Sequence, residues 1–131
     1  MENGKTNNFI QTNLNKLFEL SYDLFDYEDG KYFEISLIST LFFIKSYSGN
    51  YKDFIINFLI NSMENKTINS FELIPFCMHE LRWIEIYDYV VEKYNKAIEV
   101  NSWNEISFYG SIINCYDDSW EDKDLYEYYN L

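Results

Sequence analysis

Glu34-Ile35-Ser36-Leu37-Ile38-Ser39-Thr40-Leu41-Phe42-Phe43-Ile44-Lys45-Ser46-Tyr47 is the stretch on which the fold class turns. Leu37, Ile38, Leu41, Phe42 and Lys45 fall on one face of a helix, yet the β-branched and aromatic content equally suits a buried strand. The stretch has fourteen residues. A strand averages about 5–6 residues, so length favours a helix over 34–47, with the strand left as the open alternative. The rest of the chain leans the same way. It contains four Gly and one Pro, too little punctuation for a turn-rich sandwich or barrel. Hydrophobic residues make up 47% and aromatics 21%, ample for a packed core.

Working outward, residues 1–8 are polar and expected to fray. A helical stripe runs through Ile10, Leu14, Leu17, Phe18, Ser21 and Phe25, and Asp26-Tyr27-Glu28-Asp29-Gly30 ends it with Gly30 as the breaker. Downstream, Ser48-Gly49-Asn50 predicts a turn, with Asn50 capping a helix over 51–63. That helix is apolar on most sides: Tyr51, Phe54, Ile55, Phe58, Leu59 and Ser62 on one face, Ile56, Ile60 and Met63 on another. Asn69 and Glu72 resemble a capping box, and Pro75 falls early enough in the next helix to be tolerated. Ile84, Tyr87, Val91, Tyr94 and Ile98 step by three and four, predicting an apolar seam on a helix from Trp83 to Val100. Its other side presents Glu85, Asp88 and Glu92 together. Ser102 with Glu105 forms a second capping box, before a helix with Ile106, Tyr109, Ile113 and Tyr116 inward. Ser119 with Asp122 starts a final helix through Tyr129. The expectation is a single all-α domain, 1–131, of about seven short antiparallel helices. They would form a HEAT-like helical stack or an irregular helical bundle; no sequence repeat is legible.

Twenty-two acidic residues against ten basic ones give a formal charge of −12. Nucleic acid and anionic membranes repel such a surface, while a basic protein is attracted to it. Cys77 and Cys115 sit in apolar patterns and read as buried reduced thiols. The start, Met-Glu-Asn-Gly-Lys, lacks the apolar core of a signal peptide, and no apolar run reaches the ~18 residues of a membrane span. A cytoplasmic protein is the expectation.

Catalytic chemistry finds little footing. His79-Glu80 begins like a zinc-protease helix, but Trp83 stands where the second ligand belongs. Cys77 and His79 are two apart on a helix and point to different sides, so they form no dyad; His79 reads as a helix-end residue bonded to a carbonyl or carboxylate, with a pairing to Cys115 across helices left open. Too few His and Cys residues exist for zinc. The carboxylates from Asp117 to Asp124 lack the spacing of a calcium loop. No metal, cofactor or catalytic site is expected. Arg82, the sole arginine, should pair with a carboxylate or stack on an aromatic ring. Trp103 and Trp120 both stand at expected helix starts, where an indole commonly packs over the first turn.

The densest signal is the end of the chain, where Asp117, Asp118, Glu121, Asp122 and Asp124 surround Trp120 and precede Tyr126. Carboxylates around aromatic anchors suit a protein interface. Glu85, Asp88 and Glu92 form a second candidate patch. Phe76 to Trp83 followed by Ile84-Glu85-Ile86, together with Tyr116 through Tyr129, resembles the small all-helical bacterial immunity proteins of polymorphic and contact-dependent toxin systems. The resemblance covers the C-terminal half. It implies a non-catalytic cytosolic inhibitor of a basic toxin domain, often a nuclease. The alternative is a helical scaffold or adaptor with another protein partner.

Overall fold

The computed structural model describes residues 2–25, 30–65 and 72–120. Among the described residues there are five α-helices and no strand: α1 (Glu2–Leu24), α2 (Gly30–Glu64), α3 (Leu73–Leu81), α4 (Ile84–Glu99) and α5 (Trp103–Asn114). The all-α expectation holds, and residues 34–47 are helical throughout. The count of about seven is corrected to five. The helices expected over 34–47 and 51–63 join into α2, and the one expected beyond Ser119 falls on residues 121–131, outside the described residues. The Asn69 cap is likewise outside them. The described helices divide into two compact units, α1 with α2 and α3 with α4 and α5.

In the first unit α1 begins at Glu2, well before Phe9, so the polar opening residues are helical rather than frayed. Ile10, Leu14, Phe18 and Ser21 are buried as the stripe requires, while Phe25 is exposed and meets the Phe33 ring edge-on at 5.3 Å. Gly30 is the first residue of α2, not a left-handed stop, and no glycine has a positive φ.

The serines and threonines that blur the sequence reading of α2 are absorbed by back-bonding. Ser36 donates to the Phe33 carbonyl, Thr40 to Ser36 at 2.9 Å and Ser62 to Phe58 at 2.8 Å. A hydroxyl so paired can sit on the buried face beside Leu37, Leu41 and Ile44 without an unmet hydrogen bond. Ser48 does the same toward Lys45 at 3.1 Å. The expected turn at 48–50 therefore stays helical, and the break falls one residue later, at Tyr51 (φ −122°, ψ 20°). A straight helix of 35 residues would run about 52 Å, against about 35 Å for α1. The kink lets both limbs of α2 use α1: Phe9 meets Phe43 and Tyr47 of the first limb at 6.2 and 5.9 Å, and Phe18 meets Phe58 of the second at 5.5 Å.

In the second unit α3 is buried all round from Leu73 to Met78, which makes it the unit's centre. Pro75 occupies its third position, where the missing N–H has no intrahelical partner to lose. Arg82 ends α3 in the left-handed region (φ 51°, ψ 40°), with its N–H bonded to the Met78 carbonyl. Trp83 is extended and hands over to α4.

The seam expected on α4 is corrected. Ile84 and Ile98 are 61% and 50% exposed, and the buried line is Ile86, Val90 and Ala97. It lies roughly a quarter-turn from the expected stripe. The expected line steps by three and four, the packed one by four and seven, and each keeps to one side of the helix. The packed line carries the smaller side chains, while on the expected line Tyr94 is half-buried and a Cβ on Gly110 of α5 would approach its ring at 3.3 Å. On α5, Tyr109 and Ile112 are buried, while Ile106, Ile113 and Tyr116 are half-buried. Ser102 takes the N-cap position, but its hydroxyl makes no cap bond, so the Ser102–Glu105 box does not form. The α4–α5 turn is held instead by Asn101, left-handed at φ 56°, with Ser102 N–H donating to Ala97 (2.9 Å) and Asn101 N–H to Ile98 (3.1 Å). That is the Schellman pattern, and asparagine tolerates its strained position.

Leu41 is fully buried, and its truncation to Ala should cost about 2–5 kcal/mol through lost apolar contact and a residual cavity. Urea unfolding followed by circular dichroism measures this; an unchanged midpoint would contradict the packing described. Asn101→Ala should lose about 1–2 kcal/mol in the same assay, since alanine has no polar side chain to ease the left-handed backbone.

Candidate functional site: an acidic edge on the second unit

The segment after α5, as far as Trp120, is an ordered turn. Cys115 to Ser119 continue as turns, and Trp120 N–H donates to the Asp117 carbonyl at 3.1 Å. Asp117 Oδ1 accepts from the Ser119 backbone N–H at 2.9 Å and from the Ser119 hydroxyl at 2.8 Å. Ser119 thus bonds backward to Asp117. These two bonds, backbone first, hold the Asp117 carboxyl below the usual aspartate range.

Three side chains fasten this turn to the end of α3. His79 Nδ1 lies 2.7 Å from the Cys115 carbonyl, and since a carbonyl only accepts, Nδ1 is the donor. The indole of Trp120 stacks on the same imidazole, with centroids 4.9 Å apart, and is only 7% exposed. Arg82 reaches both sides: its Nε donates to the His79 carbonyl at 2.9 Å, and its terminal nitrogen pairs with Asp118 at 2.7 Å. The pair is solvated, with side-chain exposures of 39% and 92%, so it orients Asp118 more than it stabilises the fold. The sequence expectations for His79 and Arg82 agree with these contacts.

Tyr116 sits where the expected acidic patches meet. Its hydroxyl donates to the Trp83 carbonyl at 2.8 Å, and its ring meets Tyr87 edge-on at 4.9 Å. Burial pushes its phenol well above the ordinary range, and the nearby Cys115, Glu85, Tyr87 and Asp88 add to the rise. Glu85 and Asp88 therefore lie within electrostatic reach of the side chain that immediately precedes Asp117 and Asp118. All four carboxylates are exposed. Glu92 continues the α4 row and pairs with Lys96 at 3.3 Å. Glu121, Asp122, Asp124 and Tyr126 lie outside the described residues.

The aromatic members are placed differently from the sequence expectation. Trp120 faces inward as the anchor of the turn. Trp103, expected to pack over the start of α5, is 72% exposed. It stands beside Val100 at the other end of the α4–α5 hairpin. Tyr87 and Tyr116, which sequence reasoning did not single out for the site, are half-buried and meet edge-on, with Glu85 and Asp88 near the Tyr116 phenol. Only the packing of α4 against the end of α5 brings these two rings together.

The thiols lack the environment of a nucleophile. His79 engages the Cys115 carbonyl, not its sulfur. Burial pushes the Cys115 thiol up to about 12, the nearby Arg82 offsetting this only in part. Cys77 is raised by burial and by the neighbouring Cys115. Both are free and buried. A reactive cysteine needs the opposite shift. Among the described residues, no three His, Cys, Asp or Glu side chains gather to hold a metal ion, and no helix is long and apolar enough to cross a membrane.

Two measurements check this geometry. In a carboxyl-resolved NMR titration, Asp117 should titrate below the ordinary 3.8. Ser119→Ala should move it only part of the way back, because the backbone bond remains. Because the folded value is depressed, this contribution to stability is present above the unfolded pKa and is lost as pH falls through the folded one. Separately, Ellman's reagent should leave both thiols unreacted in the native protein and titrate both in urea; rapid native labelling of Cys115 would contradict its burial.

Compared with known proteins, the chain matches no protein-family model, no curated protein and no solved structure.

Proposed function

We propose that this protein is a stoichiometric, non-catalytic inhibitor of a basic toxin domain, most simply a nuclease, acting in the cytoplasm as an immunity protein. The observation that carries the reading is that Glu85 and Asp88 lie within electrostatic reach of Tyr116, the residue directly before Asp117 and Asp118, on a turn held by His79, Trp120 and Arg82. Carboxylates held in place offer a basic partner a preorganised surface, so little side-chain ordering remains to oppose binding. The charge of −12 adds long-range attraction, which raises association rates toward a positively charged surface. A nuclease must present such a surface to phosphates, and an acidic edge laid over it would exclude nucleic acid by competing for the same cations. The run Glu121, Asp122 and Asp124 with Tyr126 would extend the edge, and Glu92 would border it. Trp120 contributes by fixing the turn rather than by touching the partner. The resemblance of the C-terminal half to immunity proteins points the same way.

The test is stopped-flow association of the full chain with the basic toxin domain encoded beside it, across a salt series. Binding should weaken steeply with salt and should abolish toxin activity at a one-to-one ratio. The triple reversal E85K/D88K/D117K leaves the Arg82–Asp118 pair intact and should slow association by roughly tenfold or more. An unchanged on-rate would clear this edge of the role, and no binding with a fully active toxin would end the immunity reading.

A further inference from the structure

The first unit carries a groove of about 340 Å³ between α1 and the second limb of α2, unrelated to the acidic edge. Its chemistry is unusual for this chain because, among the described residues, no charged side chain lines it. One wall carries Gln11 and Asn15 and the other Asn57, Asn61 and Asn65, with the rings of Phe54 and Phe58 between them. Each set repeats every four residues. The carboxamides are exposed and the two rings are half-buried.

We propose that this groove binds an extended, uncharged peptide segment of a partner protein through its main-chain amides. Three arguments select that occupant. A carboxamide offers both a donor and an acceptor, the complement of a peptide N–H and C=O pair. Successive rungs four residues apart on a helix are separated by about 6.0 Å of rise, and two residues of an extended chain advance by about 6.6–6.8 Å. Each rung therefore meets every second residue of a strand-like peptide, the residues whose N–H and C=O point to the same side. Between the rungs, Phe54 and Phe58 offer an apolar floor for small side chains.

Other occupants fit less well. A phosphate-bearing ligand would find no cation in the lining. The apolar face of a helix would bury the carboxamides without partners, at the cost of their hydrogen bonds to water. The proposal does not rest on the inhibitor reading, because the groove and the acidic edge belong to different units.

The experiment selects binders to the full chain from a displayed library of random nine-residue peptides. The best peptide is then synthesised in plain form and with alternate backbone amides N-methylated. The plain peptide should shift the side-chain amide NMR signals of Asn57 and Asn61, and it should bind N57A/N61A at least tenfold more weakly. Both positions are exposed, so the variant should melt with the parent chain. N-methylation should remove binding to the unaltered protein, a readout that does not depend on the variant. The proposal is overturned if no peptide is enriched, if the methylated peptide binds equally well, or if the variant binds unchanged. Maltotriose or chitotriose perturbing the same signals where peptides do not would reassign the groove to a saccharide.

Discussion

The hydrogen bond from His79 to the Cys115 carbonyl is the constraint on which the acidic turn after α5 depends. It joins the last turn of α3 to the last turn of α5, the two places where backbone carbonyls lose their helical partners. Without it, the chain leaving α5 would have no fixed direction, and the carboxylates that follow would be solvated individually. With it, the imidazole becomes a platform for Trp120, and the indole closes the turn that presents Asp117 and Asp118. The only histidine and a buried tryptophan thus serve geometry, and the acidic side chains that follow are exposed.

Hydroxyl back-bonding plays the equivalent part in the first unit. Ser21, Ser36, Thr40 and Ser62 lie on buried faces, and each donates to a carbonyl three or four residues earlier. This permits an apolar helix interrupted by serine to pack as a helix. It also explains why Ser48-Gly49-Asn50, a plausible turn by composition, does not end α2. The break appears at Tyr51 because α1 can cover both limbs only if α2 bends.

The places where sequence reasoning missed share one cause. On α4, two lines of apolar residues each keep to one side of the helix, and periodicity cannot say which of them is buried. Ile86, Val90 and Ala97 are buried while Ile84 and Ile98 are exposed, an outcome set by which face packs. The two tryptophans diverge for the same reason: local sequence places each near a helix start, but only the long-range position of His79 gives Trp120 a surface to pack on. Capping signals were similarly ambiguous. Ser102 sits at the N-cap without capping, and Ser119 bonds backward to Asp117. Short hydroxyl side chains have several backbone partners within reach, and the turn geometry selects among them.

By itself the sequence determined the helical class, the burial of Ile10, Leu14 and Phe18, the tolerance of Pro75, the reduced thiols and the acidic surface. These follow from residue type, spacing and charge, which act locally or sum over the whole chain. Tertiary structure alone decided that Glu85 and Asp88 come within reach of the segment bearing Asp117 and Asp118. It also decided that Tyr87 and Tyr116 meet edge-on, and that carboxamides of α1 and α2 line one groove. Each of these joins residues tens of positions apart, and such meetings are set by which helix faces pack, a choice made by side-chain volume and shape rather than by pattern.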